Sequence, residues 1–194
     1  MKTKKGLETV GAFSLMELMI VISIMLLLAG LLIAALPGVQ NRVNRARVES
    51  FFAELESGLS SYHVDNGIYP RNDATGDRDV SGLLGSRILY KNLSGDFNED
   101  GRVDDEEKVY VPKLDFESNR NKKSRRSTAY AGAYAVMDAF GNPVRYLCDP
   151  PNLKPSERKT YNPDYDLWSI VDTDPKDSGD FSTQARYITN WQSN

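Results

Sequence analysis

The sequence predicts an α+β fold in which a long N-terminal helix, transmembrane and then amphipathic, packs on a small C-terminal antiparallel β-sheet with extended loops. Three observations lead to this prediction. Residues 18–36 carry no formal charge, a helical repeat of apolar residues follows them, and short strand-like runs bounded by Gly, Pro and Asn lie in the C-terminal part. The 194 residues suffice for one modest folded domain beyond the apolar run.

The apolar run 18–36 contains one polar residue, Ser23, and is followed by Pro37-Gly38. A helix of this length rises roughly 28 Å, which is close to the thickness of the hydrocarbon core of a bilayer. A removable secretory signal has a shorter apolar region of about 7–15 residues. We therefore expect a membrane-spanning helix over residues 13–36. Positive charges on both sides of the run leave its orientation open.

An amphipathic helix is expected over residues 37–65, with a bend possible at Pro37-Gly38. Asp65-Asn66-Gly67 should end this helix, because Asn and Gly tolerate the left-handed backbone conformation of helix ends. The globular part, residues 66–194, should dock on one stripe of the helix. The stripe consists of apolar residues spaced three and four apart, namely Val48, Phe52, Leu55, Leu59 and Tyr62.

Composition limits the function. A net charge of −3 and a pI near 5.3 make nucleic-acid binding an unlikely role, because phosphate binding requires a basic face. The single cysteine, Cys148, excludes an internal disulfide and is expected to be a buried, inert thiol. The single histidine, His63, is expected at a helix end. One His and one Cys leave little material for a nucleophilic dyad or a histidine-rich metal site, and the chain has no Gly-rich phosphate loop, so we expect no enzyme activity.

A single carboxylate, Glu17, stands at the edge of the apolar run. An acid at the centre of a spanning helix costs about 2.5–3.5 kcal/mol, and less towards the end. Glu17 is therefore either a solvated interfacial residue without a role or the partner of a cation inside the membrane.

The segment Ala12-Phe13-Ser14-Leu15-Met16-Glu17, after a Lys-rich leader and before the apolar run, resembles the processing signature of the type IV pilin and pseudopilin superfamily. The resemblance implies a leader peptide of residues 1–12, removed by prepilin peptidase between Ala12 and Phe13, and methylation of the new N-terminus. The family usually has Gly at the position of Ala12. Cleavage after Gly11 would shift Glu17 from the fifth to the sixth mature position, so we retain Ala12 as the processed residue.

Processing at this bond gives Glu17 a physical role. Cleavage creates an α-ammonium group on Phe13, which can pair with Glu17 of a neighbouring subunit. In a medium of low dielectric constant the pair attracts strongly, and either charge is costly when unpaired. We therefore expect Glu17 to set the register of assembling helices.

Further segments narrow the resemblance to the major pseudopilin of type II secretion systems. Residues 134–137 and 144–148 are expected to be strands flanking the loop 138–143, which retains the Gly-Asn-Pro of a family motif. Residues 62–70, 165–169 and 188–191 resemble the family's helix exit, its next strand and its C-terminal end. The resemblance implies assembly with identical copies and other pseudopilins, and contact with an inner-membrane secretion assembly platform. It also implies a single-pass inner-membrane protein before assembly, with the C-terminal domain on the periplasmic or extracytoplasmic side.

Residues 96–107 fit the twelve-residue EF-hand calcium loop at its diagnostic positions. Calcium takes six to eight oxygen ligands, so a short loop must fold around it. The alternative is a solvated acidic loop. The following residues 109–112 look more like a strand than an exit helix, and a lone loop suggests structural binding at a Kd of about 10⁻⁴–10⁻³ M. The expected ligands are Asp96, Asn98, Asp100, Arg102 through its carbonyl, Asp104 and Glu107.

Two more charged stretches lie outside these motifs. The pseudopilin resemblance weakly implies a second calcium site after residues 165–169, where the sequence offers Asp172, Asp174, Asp177 and Asp180, although a polar loop fits nearly as well. Residues 120–126 contain five cations. They are expected to form a solvated loop, with lipid headgroups, nucleic acid or an acidic subunit as possible partners.

The sequence therefore favours a pseudopilin that polymerises through its N-terminal helix and supports protein secretion. The second hypothesis is a type IV pilus subunit for adhesion, motility or DNA uptake. A membrane-anchored, calcium-dependent binding module that does not polymerise is a third, and an anchored hydrolase is more distant.

Overall fold

A computed structural model of the chain describes residues 14–71, 82–122, 125–130, 132–173 and 186–191, with the backbone alone at 34–37 and 130. The chain divides into two compact units, Met1–Arg42 and Val43–Asn194. The long N-terminal helix and the antiparallel strands of the second unit confirm the predicted α+β class.

Helix α1 spans Leu15–Asn66 and supplies all of the described structure of the first unit. Its large apolar side chains from Leu15 to Ile33 are exposed. Among the described residues, this helix has one segment long and apolar enough to cross a membrane. A helix that is apolar on all sides normally lies in a membrane or in a protein core, so the segment suits a membrane anchor.

In the second unit, α1 buries the predicted stripe. Val48, Leu55 and Leu59 are completely buried and Phe52 nearly so, and they join one core with the strands and with α2. Burial of each such side chain contributes roughly 1.5–3 kcal/mol. The helix ends at Asn66, and Gly67 adopts a φ of +73° while its amide donates to the His63 carbonyl. The predicted helix end is therefore confirmed.

The strands form two small antiparallel sheets instead of the single sheet that was predicted. Strand β1 pairs with β2, whereas β3, β4 and β5 form the second sheet in that order. The loop 138–143 turns the chain from β2 into β3, and an isolated bridge joins Met137 to Pro143. The strands are Ser127–Tyr130 (β1), Ala133–Val136 (β2), Arg145–Leu147 (β3), Asp166–Ser169 (β4) and Ile188–Thr189 (β5).

Helix α2, Leu83–Leu93, was not predicted from the sequence. It packs against β2 and β3 through a face that includes Leu89 and Leu93. A Cβ at Gly85 would lie 2.3 Å from the Tyr146 carbonyl oxygen, so only glycine permits this close approach. Three one-turn elements complete the described structure: Pro112–Leu114 and Pro155–Glu157, which are 3-10 turns, and α3, Phe116–Asn119.

The strand predicted at 109–112 does not form. The amides of Tyr110 and Val111 both donate to the Leu93 carbonyl, each over 3.0 Å, and Pro112 begins a 3-10 turn. Consecutive amides on a strand point to opposite sides, so two that converge on one carbonyl cannot belong to a ladder.

Candidate assembly and metal sites

The N-terminus of α1 is closed by two reciprocal hydrogen bonds between Ser14 and Glu17. The Ser14 amide donates to Glu17 Oε2 over 2.9 Å, and the Glu17 amide donates to Ser14 Oγ over 3.2 Å. This arrangement is a capping box, which satisfies two amides that the first turn of a helix leaves without partners. The Glu17 carboxylate also lies at the positive end of the helix dipole.

The capping box was missed in the sequence, although Ser-x-x-Glu before an apolar run is its signature. Glu17 therefore has a local structural role that was not among the two interpretations above. The proposed cleavage residues Ala12 and Phe13 lie outside the described residues, so their processing stays a prediction.

The acidic loop 96–107 follows α2 directly and starts from a buried carboxylate. Asp96 is only 1% exposed. Its Oδ1 accepts from the Asp100 amide over 3.0 Å, and its Oδ2 accepts from the Gly101 amide over 2.8 Å and from the Tyr90 hydroxyl over 2.5 Å. These bonds hold the first half of the loop in a closed turn around Asp96.

Three further predicted ligands are linked to this turn. Asn98 Oδ1 accepts from the Asp100 amide, and Asp100 Oδ1 accepts from the Arg102 amide, each over 2.9 Å. Asp104 Oδ2 accepts from the amide of Asn98 over 3.2 Å, and its Oδ1 from the Asn98 side-chain amide over 2.6 Å. The structure thus brings the side chains of Asp96, Asn98, Asp100 and Asp104 into one hydrogen-bonded network.

The loop is fixed to its surroundings at two places. Gly101 has a φ of +92°, and a Cβ there would lie 2.6 Å from the Tyr134 hydroxyl. Arg87 on α2 forms a bidentate ion pair with Glu99, with nitrogen–oxygen distances of 3.2 and 2.8 Å. This pair holds the loop against the helix that precedes it.

The last predicted ligand, Glu107, is exposed and is not seen in this network. Its amide donates to the Asp104 carbonyl over 3.2 Å. Burial raises the pKa of Tyr62, and the charge of Glu107 raises it further. Over the residues that the structure describes, no three acidic, histidine or cysteine side chains converge as a metal-binding group. The calcium prediction is therefore neither confirmed nor contradicted.

The donors in the loop nevertheless suit a hard cation. Carboxylate, amide and backbone carbonyl oxygens are the ligands that calcium prefers, and the sixth position holds the glycine that the sharp turn requires. Helix α2 supplies the element that enters the loop, whereas an extended segment takes the place of an exit helix. Six of the seven acidic residues in the loop have no ion pair among the described residues.

The weaker second metal site cannot be assembled from the described residues. Asp172 is exposed after β4, and Asp174, Asp177 and Asp180 lie outside the described part of the chain. This site stays a prediction.

The single His and Cys occupy ordinary structural positions. His63 lies at the end of α1 and stacks on Tyr69, with ring centroids 4.4 Å apart. Cys148 is half-buried instead of buried as expected, and its partial burial raises the pKa of its thiol. A raised thiol pKa lowers the fraction of reactive thiolate.

Comparison with known proteins gives matches over the N-terminal part of the chain. Over 61 residues, 31% of the chain, it is 41% identical to the type II secretion system core protein G of Klebsiella michiganensis. The same proteins of Pectobacterium carotovorum subsp. carotovorum and Klebsiella pneumoniae are each 38% identical over 61 residues. In its N-terminal part, the chain resembles type II secretion core protein G.

The chain spans less than half the length of these relatives, namely 43%, 39% and 44%. No family model and no solved structure matches the chain. The similarity therefore supports the sequence-based pseudopilin resemblance in the helical part, and it leaves the acidic loop and the sheets to be interpreted from their own residues.

Proposed function

We propose that the chain is a structural filament subunit, a pseudopilin of a type II secretion-like system that has no catalytic role. The single observation that carries this proposal is an exposed apolar helix with one acid at its start, in the region that resembles core protein G. Prepilin peptidase cleaves between Ala12 and Phe13, and the subunit resides as a single-pass inner-membrane protein with its C-terminal domain in the periplasm. It then polymerises with its own copies and other pseudopilins on the inner-membrane assembly platform.

Glu17 serves assembly in this proposal. Before assembly, its carboxylate accepts from the Ser14 amide, so its charge is partly compensated. In the filament it pairs with the α-ammonium of Phe13 on a neighbour. A charge pair within hydrocarbon is favourable only when both partners are present, so an unmatched subunit is rejected.

Mass spectrometry of the mature N-terminus from the native host tests the processing. The expected chain begins at N-methylated Phe13, and any other start would overturn the register between Glu17 and the new N-terminus.

Two variants separate the charge of Glu17 from its capping role. Glu17→Gln removes the charge but can retain the capping box, because Gln also serves at this position. Ser14→Ala removes half of the box at a cost of about 1 kcal/mol but retains the charge. We expect Glu17→Gln to abolish filament incorporation and Ser14→Ala to preserve it, as measured by electron microscopy after processing has been verified. The opposite result would make Glu17 a helix cap only.

We further propose that residues 96–107 bind one calcium ion that stabilises the periplasmic domain. The sequence pattern carries this proposal, and the network that joins Asp96, Asn98, Asp100 and Asp104 supports it. Arg102 would contribute its carbonyl and Glu107 its carboxylate. The bound ion would offset repulsion among the loop carboxylates and, by linkage, stabilise the fold.

Terbium luminescence offers a direct test of the calcium proposal. Terbium substitutes for calcium, and the Tyr90 hydroxyl on Asp96 places a tyrosine sensitiser at the loop. We expect calcium to displace terbium with a Kd of about 10⁻⁴–10⁻³ M. Asp100→Asn should weaken the binding at least tenfold, whereas Glu106→Gln, at a position that supplies no ligand, should change it less than threefold, each measured as a fold change in Kd. Equal effects of both variants would indicate general charge attraction and contradict a specific site.

A further inference from the structure

A groove with an apolar lining and a cationic border lies beside the second-unit part of α1. It has a volume of about 390 Å³. Val43, Ala46 and Phe51 supply its apolar atoms, and Arg47, Lys113 and Arg126 supply its charges.

The charges of this groove are only partly compensated. Lys113 pairs with Glu54 on α1. Arg126 lies over the Phe51 ring, with its guanidinium carbon 5.7 Å from the ring centroid, and Arg47 is exposed. Neither arginine has an ion-pair partner among the described residues. Burial lowers the pKa of Arg126, and the charge of Arg47 lowers it further, as expected of two like charges that face one groove.

An acidic surface, opposite in charge to the groove, lies near the C-terminal end of α1. Four consecutive acids, Asp104–Glu107, end the acidic loop. Asp105 and Glu106 are exposed and have no ion pair within the described part of the chain. Glu106 has a φ of +72°, an unfavourable conformation for a non-glycine residue. Lys108, the residue that follows this acidic run, forms an ion pair with Asp65 at the end of α1 over 2.6 Å.

The two surfaces are separated along the helix axis. Asp65 lies eighteen residues after Arg47 on α1, so the two positions are about 27 Å apart along the helix axis at 1.5 Å per residue. A contact between two different surfaces of identical subunits is heterologous. When the rotation that relates neighbouring subunits does not close a ring, such a contact generates an open helical polymer.

On these grounds we infer that the groove of Arg47 and Arg126 receives Asp105 and Glu106 of a second copy of this chain, the two acids of the run that are not expected calcium ligands. This inference rests on the proposed function, since it names a periplasmic contact that would accompany assembly through α1. Opposite charges give the contact its register, and the apolar lining excludes water from the side chains that enter. The chain itself thus supplies both the groove and the acidic run.

Charge exchange in the full-length, processed protein tests the contact. Arg47→Glu and Glu106→Lys should each raise the concentration needed for filament assembly at least about tenfold, and the double variant should return it to within about threefold. Lys154→Glu and Glu157→Lys are the matched controls, because they reverse charge in the same two directions at exposed positions outside both surfaces. Each should change the concentration needed for assembly less than twofold. If the single variants assemble like the original protein, the contact does not exist.

Cysteine cross-linking gives a second measurement that does not depend on charge. In a Cys148→Ser background, filaments that mix Arg47→Cys with Glu106→Cys subunits should form disulfide-linked dimers, and filaments of either variant alone should not. Filaments without the mixed cross-link would overturn this inference and leave the proposed function intact. The Cys148→Ser parent retains both charges, so a failure of this parent to form filaments would overturn the proposed function.

An anionic lipid surface is the competing occupant of the groove. Binding to phosphatidylglycerol vesicles is therefore measured on the same variants. A loss of vesicle binding in Arg47→Glu with unchanged filament assembly would assign the groove to lipid and overturn the contact between copies.

Discussion

The hydroxyl of Tyr90 on α2 donates a 2.5 Å hydrogen bond to Asp96 Oδ2, the first position of the acidic loop, and both residues are buried. The two residues are only six positions apart, yet they join the helix that enters the loop to the carboxylate around which the loop closes. A buried carboxylate is stable only when its oxygens are hydrogen-bonded. The loop conformation therefore depends on α2 being in place.

The first prediction concerns removal of the Tyr90 hydroxyl. Tyr90→Phe should lower the free energy of unfolding by about 1.5–3 kcal/mol, because it removes one hydrogen bond to a buried charged group. Urea unfolding followed by tryptophan fluorescence measures the change. Tyr69→Phe, at a half-buried tyrosine whose hydroxyl makes no hydrogen bond among the described residues, serves as the control and should change stability by less than about 0.5 kcal/mol. Equal effects would show that the Tyr90 hydroxyl contributes nothing particular.

A second prediction concerns alkaline pH. Burial raises the pKa of Tyr90, Tyr146 and Tyr165 above the ordinary value of 10.0. Their contribution to stability is fully present below that value, where the unfolded chain still holds its protons. It is lost as pH rises through the raised pKa of each folded residue, because the unfolded chain releases the protons first. We expect stability to fall steeply above about pH 10 and tyrosinate absorbance to appear together with unfolding. Titration of these tyrosines in the intact fold at their ordinary pKa would contradict this.

A third prediction tests the close approach at Gly101. Gly101→Ala forces a left-handed conformation on a residue with a Cβ and places that atom 2.6 Å from the Tyr134 hydroxyl. Gly141→Ala is the matched control, since its φ of +87° is similar and no atom lies within 4 Å of its Cβ. The control should cost about 1 kcal/mol, and Gly101→Ala should cost more and weaken terbium binding. Equal destabilisation by the two variants would mean that the Tyr134 side chain moves away from the new Cβ at no cost in stability.

A fourth prediction concerns the buried Asp138 in the loop between β2 and β3. Its Oδ1 accepts from the amides of Phe140 and Asn142, each over 2.9 Å, and its Oδ2 accepts from the Ser169 hydroxyl over 2.6 Å. Burial raises the pKa of Asp138 despite these bonds. The raised pKa favours the neutral form, so the stability it contributes is present below the ordinary value and is lost as pH rises through the raised one.

Asp138→Asn should therefore keep the fold and gain stability relative to the original chain as pH rises from about 3 to above the ordinary Asp pKa of about 3.9. An Asn side chain can still accept from the two amides, and it carries no charge to desolvate. Asp138→Ala should lose roughly 2–4 kcal/mol because it leaves several buried groups without partners. Urea midpoints across this pH range compare the variants, and a loss in Asp138→Asn as large as in Asp138→Ala would show that the charge itself is required.

The sequence predicted the elements with a strong local signal. The stripe from Val48 to Tyr62 has the helical period, and Asn66-Gly67 carries a known helix-ending signal, so both could be placed without tertiary information. The short strands on either side of the loop 138–143 were placed by their flanking turn residues. Helix α2 was missed because Gly85 and Ser86 interrupt its pattern, although both are buried against the rest of the fold. Gly85 allows α2 to approach the Tyr146 backbone closely, a packing contact that no local pattern records.

The acidic loop shows the same division between local pattern and packing. Its spacing indicated which oxygens would gather, and Asp96, Asn98, Asp100 and Asp104 do share a network. The anchors Tyr90, Tyr134 and Arg87 could not be predicted, because they belong to elements that reach the loop only in the folded chain. The strand expected at 109–112 failed for a related reason, since its amides are used by the Leu93 carbonyl.

By itself, the sequence determined the apolar helix, its single acid, the core stripe and the order of acids in the loop, because each depends on the period or composition of adjacent residues. Only the tertiary structure decided that Tyr90 supports Asp96 and that two arginines from distant segments border one groove. These relationships depend on which side chains meet after burial of the core. The physical reason is that burial of apolar area is favourable in any orientation and so does not select particular polar pairs. Polar contacts require a short distance and a suitable angle, and these are set only once the backbone has packed.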